Sequence, residues 1–89
     1  MPSRLQYSDQ ASEDLASLDL SVARRILDKL DFFVKQNNPL RWAKRLTSSQ
    51  CGEYRFRVGD YRVIFDVAKD GTVTVLLILA IKHRRHVYD

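Results

Sequence analysis

The chain has 89 residues, 45% of them apolar and 29% charged, which is the size and balance of one soluble globular domain spanning residues 1–89. A domain this small buries only roughly 60% of the surface its unfolded chain exposes, so a deeply enclosed active site is not expected. No stretch approaches the ~20 apolar residues needed to span a bilayer. The net charge of +4 is uneven: residues 1–34 hold four basic and six acidic side chains, whereas residues 35–89 hold eleven and five. Nucleic acid is the commonest partner of such a basic half. Cys51 is the only cysteine, which excludes an internal disulfide. With no apolar signal region at Met1 to Arg4, a reducing, cytoplasmic setting is the default expectation.

Leu5 and Tyr7 alternate with polar neighbours and predict a short first strand over Arg4 to Tyr7. Ser8 then caps a helix in which Ala11, Leu15 and Leu18 recur at helical spacing, with Asp9, Glu13 and Asp14 near its positive end. Asp19 opens a second helix, Leu20 to Gln36, along whose inner stripe lie Val22, Ile26, Leu30 and Phe33. Asn37-Asn38-Pro39 ends it. Leu40 to Leu46 reads as a brief third helix carrying Arg41, Lys44 and Arg45, followed by a polar loop from Thr47 to Gly52. Trp42 reads as an anchor at the core edge rather than as a surface for a base.

The hairpin that follows, Tyr54 to Phe65, is the most informative segment. With Gly59-Asp60 as a two-residue turn, Val58 stands opposite Tyr61 and Arg57 opposite Arg62. Tyr54, Phe56, Val58, Tyr61, Val63 and Phe65 then share one face, and Arg55, Arg57 and Arg62 converge on the other. Cations at cross-strand distances of about 5 Å repel, so the arrangement calls for an anion, and phosphate is the natural one. Asp70-Gly71 gives a type I′ turn signal into a last strand, Thr72 to Ile81. That strand is apolar at odd and even positions alike, which suggests burial on both faces and a narrower exposed groove.

The layout is α+β, β-α-α-β-β-β, an antiparallel sheet with two helices packed on one face and the arginines on the uncovered side. The last strand should return the chain beside Arg57 and Arg62, with Tyr61 pairing near Ala80. This brings Lys82, His83, Arg84, Arg85, His86 and Tyr88 to the cluster. No metal or other cofactor is expected. The two histidines lack carboxylate or thiolate partners for a divalent ion, and none of the three glycines forms a phosphate-binding loop. Metal-free binding or cleavage of a phosphodiester remains. In RNA the 2′-hydroxyl is the nucleophile, arginines stabilise the charge on phosphorus, and His83, His86 or Tyr88 must move the protons.

The helix from Ala11 to Leu18, the long second helix, the Tyr54–Val67 hairpin and the His83–Tyr88 terminus together resemble the RelE/ParE superfamily of bacterial toxins. The last two motifs are more similar to the ribosome-dependent RNase branch than to the gyrase-poisoning branch. The resemblance implies a RelE-like microbial RNase fold and cleavage of mRNA in the ribosomal A site. It also implies a cognate antitoxin partner, a toxin-antitoxin complex that binds operator DNA, and no membrane association. Carried over by motif, Arg55 and Arg57 match the paired basic residues of the first hairpin strand. Arg62 and Arg84 match the family's arginines, and Tyr88 its terminal tyrosine. The pair is often lysine, so arginine at 55 and 57 leaves proton transfer to His83 first and His86 second, or to Tyr88. The catalytic set implied is Arg57, Arg62, Arg84, Tyr88 and His83. Arg55, Arg41, Lys44, Arg45, Lys82, Arg85 and His86 would hold RNA. Two alternatives stand beside it: a gyrase inhibitor without nuclease activity, and a toxin-like module that binds only antitoxin or operator DNA.

Overall fold

A computed structural model of the chain describes residues 3–45 and 54–86, with His86 described by its backbone alone. In chain order the elements are β1 (Ser3–Tyr7), α1 (Asp9–Ala16), α2 (Leu20–Val34), a 3-10 turn (Pro39–Trp42), β2 (Ala43–Arg45), β3 (Tyr54–Val58), β4 (Tyr61–Asp70), β5 (Val73–His83) and a terminal 3-10 turn (Arg84–His86). The sheet order is β1-β5-β4-β3-β2. Among the described residues no helix is long and apolar enough to cross a membrane.

The α+β architecture, with both helices on one face, is the one expected. Ala11 of α1 and Ile26, Leu30 and Phe33 of α2 are buried against Phe56, Val58, Val63, Phe65, Leu76, Ile78 and Ile81 of the sheet. At the centre, Phe56 is stacked between Phe33 and Phe65, with ring centroids 4.4 and 4.3 Å apart. Offset aromatic stacks of this kind add to the hydrophobic stabilisation of the area they bury.

The sheet differs from expectation in detail. It is mixed, because β1 runs parallel to β5. A parallel neighbour requires a long crossover, and the helical pair supplies the first part of one. The expected third helix is instead the 3-10 turn followed by β2. Ala43, Lys44 and Arg45 pair with Phe56, Arg55 and Tyr54, since the outer edge of β3 offers backbone groups that a helix would leave unmet.

Both hairpin turns place glycine first. Gly59 and Gly71 have φ of 58° and 62°, and no other described residue has positive φ, so both are Gly-X turns. The second is Gly71-Thr72, one residue later than the expected type I′ turn, with Asp70 opposite Val73. That displacement moves the β4–β5 register by two residues, and a bulge in β5, opposite the Ile64–Phe65 step of β4, adds a third. Tyr61 therefore faces His83 rather than Ala80, which instead pairs with Ile64.

The bulge also accounts for the apolar run of β5. Phe65 pairs with Ile78 and Ile64 with Ala80, so Leu79 is the extra residue. Before it, Leu76 and Ile78 point toward the helices; after it, Ile81 does. Val75 and Ala80 face the other way and are buried as well, so this central strand is covered on both sides. The junction of β1 and α1 holds the bulge in place. The Ser8 amide donates to the Ile78 carbonyl at 2.9 Å. Its hydroxyl donates to the Leu79 carbonyl at 2.9 Å and accepts from the Ala11 amide at 3.0 Å as the cap of α1. Asp14 Oδ2 accepts from the Ile81 amide at 2.9 Å.

Asp14→Ala should therefore cost about 1–3 kcal/mol, because it leaves a buried strand amide without its acceptor. The check is urea unfolding together with hydrogen exchange, in which the Ile81 amide should lose protection. Asp14→Asn, which keeps an acceptor, should lose less.

Candidate nucleic-acid interface

Alternation places Arg55 and Arg57 of β3 on the face away from the helices, opposite Ile64 and Arg62 of β4. On the far side of β4, Arg62 pairs with Lys82 of β5, and on the outer edge Arg55 pairs with Lys44 of β2. One row across three strands thus reads Arg57, Arg62, Lys82, with Lys44 and Arg55 in the next. Neighbours in such a row lie about 5 Å apart. Asp66, two positions beyond Ile64 on the same face of β4, is the carboxylate nearest to this field along that strand.

Like charges at this spacing are destabilising in a bare sheet and stabilising around a phosphodiester, whose oxygens take bidentate contacts from guanidinium groups. The positions are not equivalent. Arg57 is exposed and Arg55 half-buried, but Arg62 is only 8% exposed. Arg62 Nη1 donates to the carbonyls of Gly59 at 3.0 Å and Tyr61 at 3.1 Å. The expectation that Arg62 stands open to solvent beside Arg57 is corrected: its guanidinium folds over the hairpin turn and satisfies carbonyls there.

The terminal segment reaches the same turn. Arg84 donates its amide to the Asp60 carbonyl at 2.7 Å, and its Nε lies 3.7 Å from Asp60 Oδ1. Arg84 is thereby fixed at the end of the row, with its side chain exposed. His83 is placed differently from Lys82. It pairs with Tyr61, with ring centroids 5.3 Å apart in an edge arrangement, and so leaves the sheet on the helix side. Its Nδ1 accepts from the Arg85 amide at 3.4 Å, which places the proton of a neutral imidazole on Nε2.

Among the other expected RNA-holding residues, Arg41 and Lys44 are exposed and line a groove with Trp42, Ala43, Arg55 and Arg57. Arg45 pairs with Tyr54 and belongs to the helix side. Arg85 is exposed in the terminal turn. The side chain of His86 and all of Tyr88 lie outside the described residues. Site-building residues that the sequence reading missed are Asp60, which holds Arg84, and Ser8 and Asp14, which hold the bulge. Asp14 left a signal. It follows Ala11 by three residues, which puts its carboxylate on the inward side of α1.

The family model described as the ParE toxin of the type II toxin-antitoxin system parDE matches residues 5–88. Among solved structures, the chain is similar to the archaeal RelE-RelB complex from Pyrococcus horikoshii OT3, at 29% identity, with a TM-score of 0.67 over 98% of this chain and 100% of that one. It is similar to the toxin-antitoxin complex RelBE2 from Mycobacterium tuberculosis at 29% identity, with a TM-score of 0.64 over 94% and 100%. The YoeB/ParE toxin from Agrobacterium tumefaciens shares the fold, at 13% identity, with a TM-score of 0.66 over 90% and 97%. No curated protein matches the chain significantly.

Proposed function

Because the chain belongs to the RelE/ParE superfamily of type II toxin-antitoxin toxins, we propose that it is a ribosome-dependent endoribonuclease that cleaves mRNA in the A site without a metal ion. The observation that carries this reading is the row of Arg57, Arg62 and Lys82 across three strands. The scissile phosphate lies against Arg57 and Lys82, with Arg62 behind them and Arg84 at the end of the row. The 2′-hydroxyl attacks phosphorus, the bond to the 5′-oxygen breaks, and the cations stabilise the added negative charge of the phosphorane. Guanidinium groups stay protonated and make poor bases, so His83 is assigned the proton transfers, with His86 or Tyr88 completing them. Since His83 leaves the opposite face beside Tyr61, RNA must bend around the end of β5 to meet both the imidazole and the row. A ribosome that presents its message already bent supplies that geometry, which a small open face does not.

The partner of this toxin is a cognate antitoxin, as in the RelB complexes of the similar structures, and it silences the toxin by covering the basic face. The pair then binds operator DNA. A second reading is inhibition of gyrase without nuclease activity. It is favoured by the description of the matching family model and by the turn of His83 away from the row.

Expression in bacterial cells followed by mapping of mRNA 5′ ends separates these readings. Ends clustered at one codon position are expected. Intact message with induced DNA damage would replace the nuclease by the gyrase inhibitor. Harmless expression with both intact would leave a module that binds only antitoxin or DNA.

A further inference from the structure

Beside the basic row runs a groove of about 250 Å³ lined by Arg41, Trp42, Ala43, Lys44, Arg55 and Arg57. Trp42 is 50% exposed, although the sequence assigns it to the core edge. Its indole does reach the core. The ring centroid lies 5.7 Å from that of Phe32 and 6.0 Å from that of Phe33, and Phe33 stacks on buried Phe56. The exposed part is therefore held by packing, which lowers the entropy lost when a flat ligand settles on it.

A half-exposed indole also suits a protein partner, but the walls here argue otherwise. Among its described lining residues the groove sets one fixed aromatic surface among three arginines and a lysine, with no carboxylate. Protein-binding anchors usually sit in desolvated pockets depleted of charge at their centre. An aromatic platform within a cationic channel is the arrangement that accepts single-stranded nucleic acid, the base on the ring and the phosphates on the cations. Arg55 and Arg57 belong to both the groove and the row, so a strand lying along the row passes directly into the groove.

We infer that the Trp42 groove is a nucleobase subsite: a base of single-stranded RNA stacks on the indole while the adjoining phosphate meets Arg55 and Arg57, with Arg41 and Lys44 closing the sides. The inference rests on the nucleic-acid reading of the basic face given above and adds to it a position for a base next to the reacting phosphate.

Trp42 is the chain's only tryptophan, so its fluorescence reports this contact alone. The probe is a short single-stranded RNA with 2′-O-methyl riboses, which cannot be cleaved, set against an abasic strand of the same length. The intact RNA should quench Trp42 saturably and less tightly as salt rises. The abasic strand, followed by a terminal label, should bind without comparable quenching. Trp42→Ala should weaken RNA binding roughly 5- to 150-fold, and Trp42→Phe should retain most of the affinity in a protein whose circular dichroism is unchanged. Absence of quenching, equal quenching by the abasic strand, or wild-type RNA affinity in Trp42→Ala would each overturn the subsite, the second in favour of a backbone contact without stacking and the last in favour of a protein-docking surface. Message cleavage in a translating extract is read separately. Quenching with intact message sinks the nuclease and spares the subsite, while cleavage without quenching does the reverse.

Discussion

Replacing Phe56 by alanine is expected to cost about 3–5 kcal/mol of folding stability, among the largest losses from any one side chain of this core. Phe56 has no solvent exposure and stands between Phe33 of α2 and Phe65 of β4. Its removal opens a cavity where helix meets sheet. Domains of this kind are held by only about 5–15 kcal/mol in total, and a short chain lies toward the low end, so the variant should be largely unfolded at 37 °C. Urea unfolding followed by far-ultraviolet circular dichroism measures the effect. Phe56→Leu, which refills part of the space, should fall between the variant and the wild type. A loss below about 1 kcal/mol for Phe56→Ala, small beside the usual aromatic truncation, would mean that the stack is not the centre of the core.

Under the proposed nuclease function, Arg57→Ala should produce the opposite pattern, with cleavage lost and the fold retained. Arg57 is exposed, although it pairs with Arg62 across the ladder, so removing it takes away little buried surface. Its effect on stability should stay within about 0.5 kcal/mol of zero, as for most surface substitutions. On activity, loss of one positioned group that stabilises transition-state charge typically costs about 10²–10³-fold. Arg57→Lys should recover part of this, because the charge remains while the bidentate geometry is lost. The measurements are codon-specific cleavage in a translating extract and the thermal midpoint of the same preparations. An alanine variant that still cuts at the wild-type rate would remove Arg57 from the site. Arg62→Ala is a poorer probe of chemistry, since its Nη1 also satisfies the Gly59 and Tyr61 carbonyls. Its loss of activity would be mixed with loosening of the turn.

Much of this architecture is local and therefore readable from the chain. The Gly59-Asp60 turn and the alternation around it suffice to set Arg57 opposite Arg62, because a two-residue loop permits one register and a strand has a period of two. Ser8 as a helix cap and the stripe of Ile26, Leu30 and Phe33 are legible for the same reason: each depends on residues within a turn or two of itself. The region from Leu40 to Arg45 misled because propensity over so short a span is weak, and an available strand edge outweighs it. Arg62 misled because alternation gives the face on which a side chain starts, while its burial depends on where a long, flexible chain finds acceptors.

The sharpest division falls at Lys82 and His83. A continuous alternation from Leu76 and Ile78 would send Lys82 toward the helices and His83 to the basic face; the extra residue at Leu79 exchanges them. The alternation around Leu79 does not announce that exchange. It is held by the Ser8 hydroxyl and the Asp14 carboxylate, 71 and 67 residues away in the chain. The amino-acid sequence by itself determined the arginine pair and the helices that cover the opposite face. Only the tertiary structure decided which of two adjacent residues completes the cationic row, because the groups that choose between them meet only once the chain has folded.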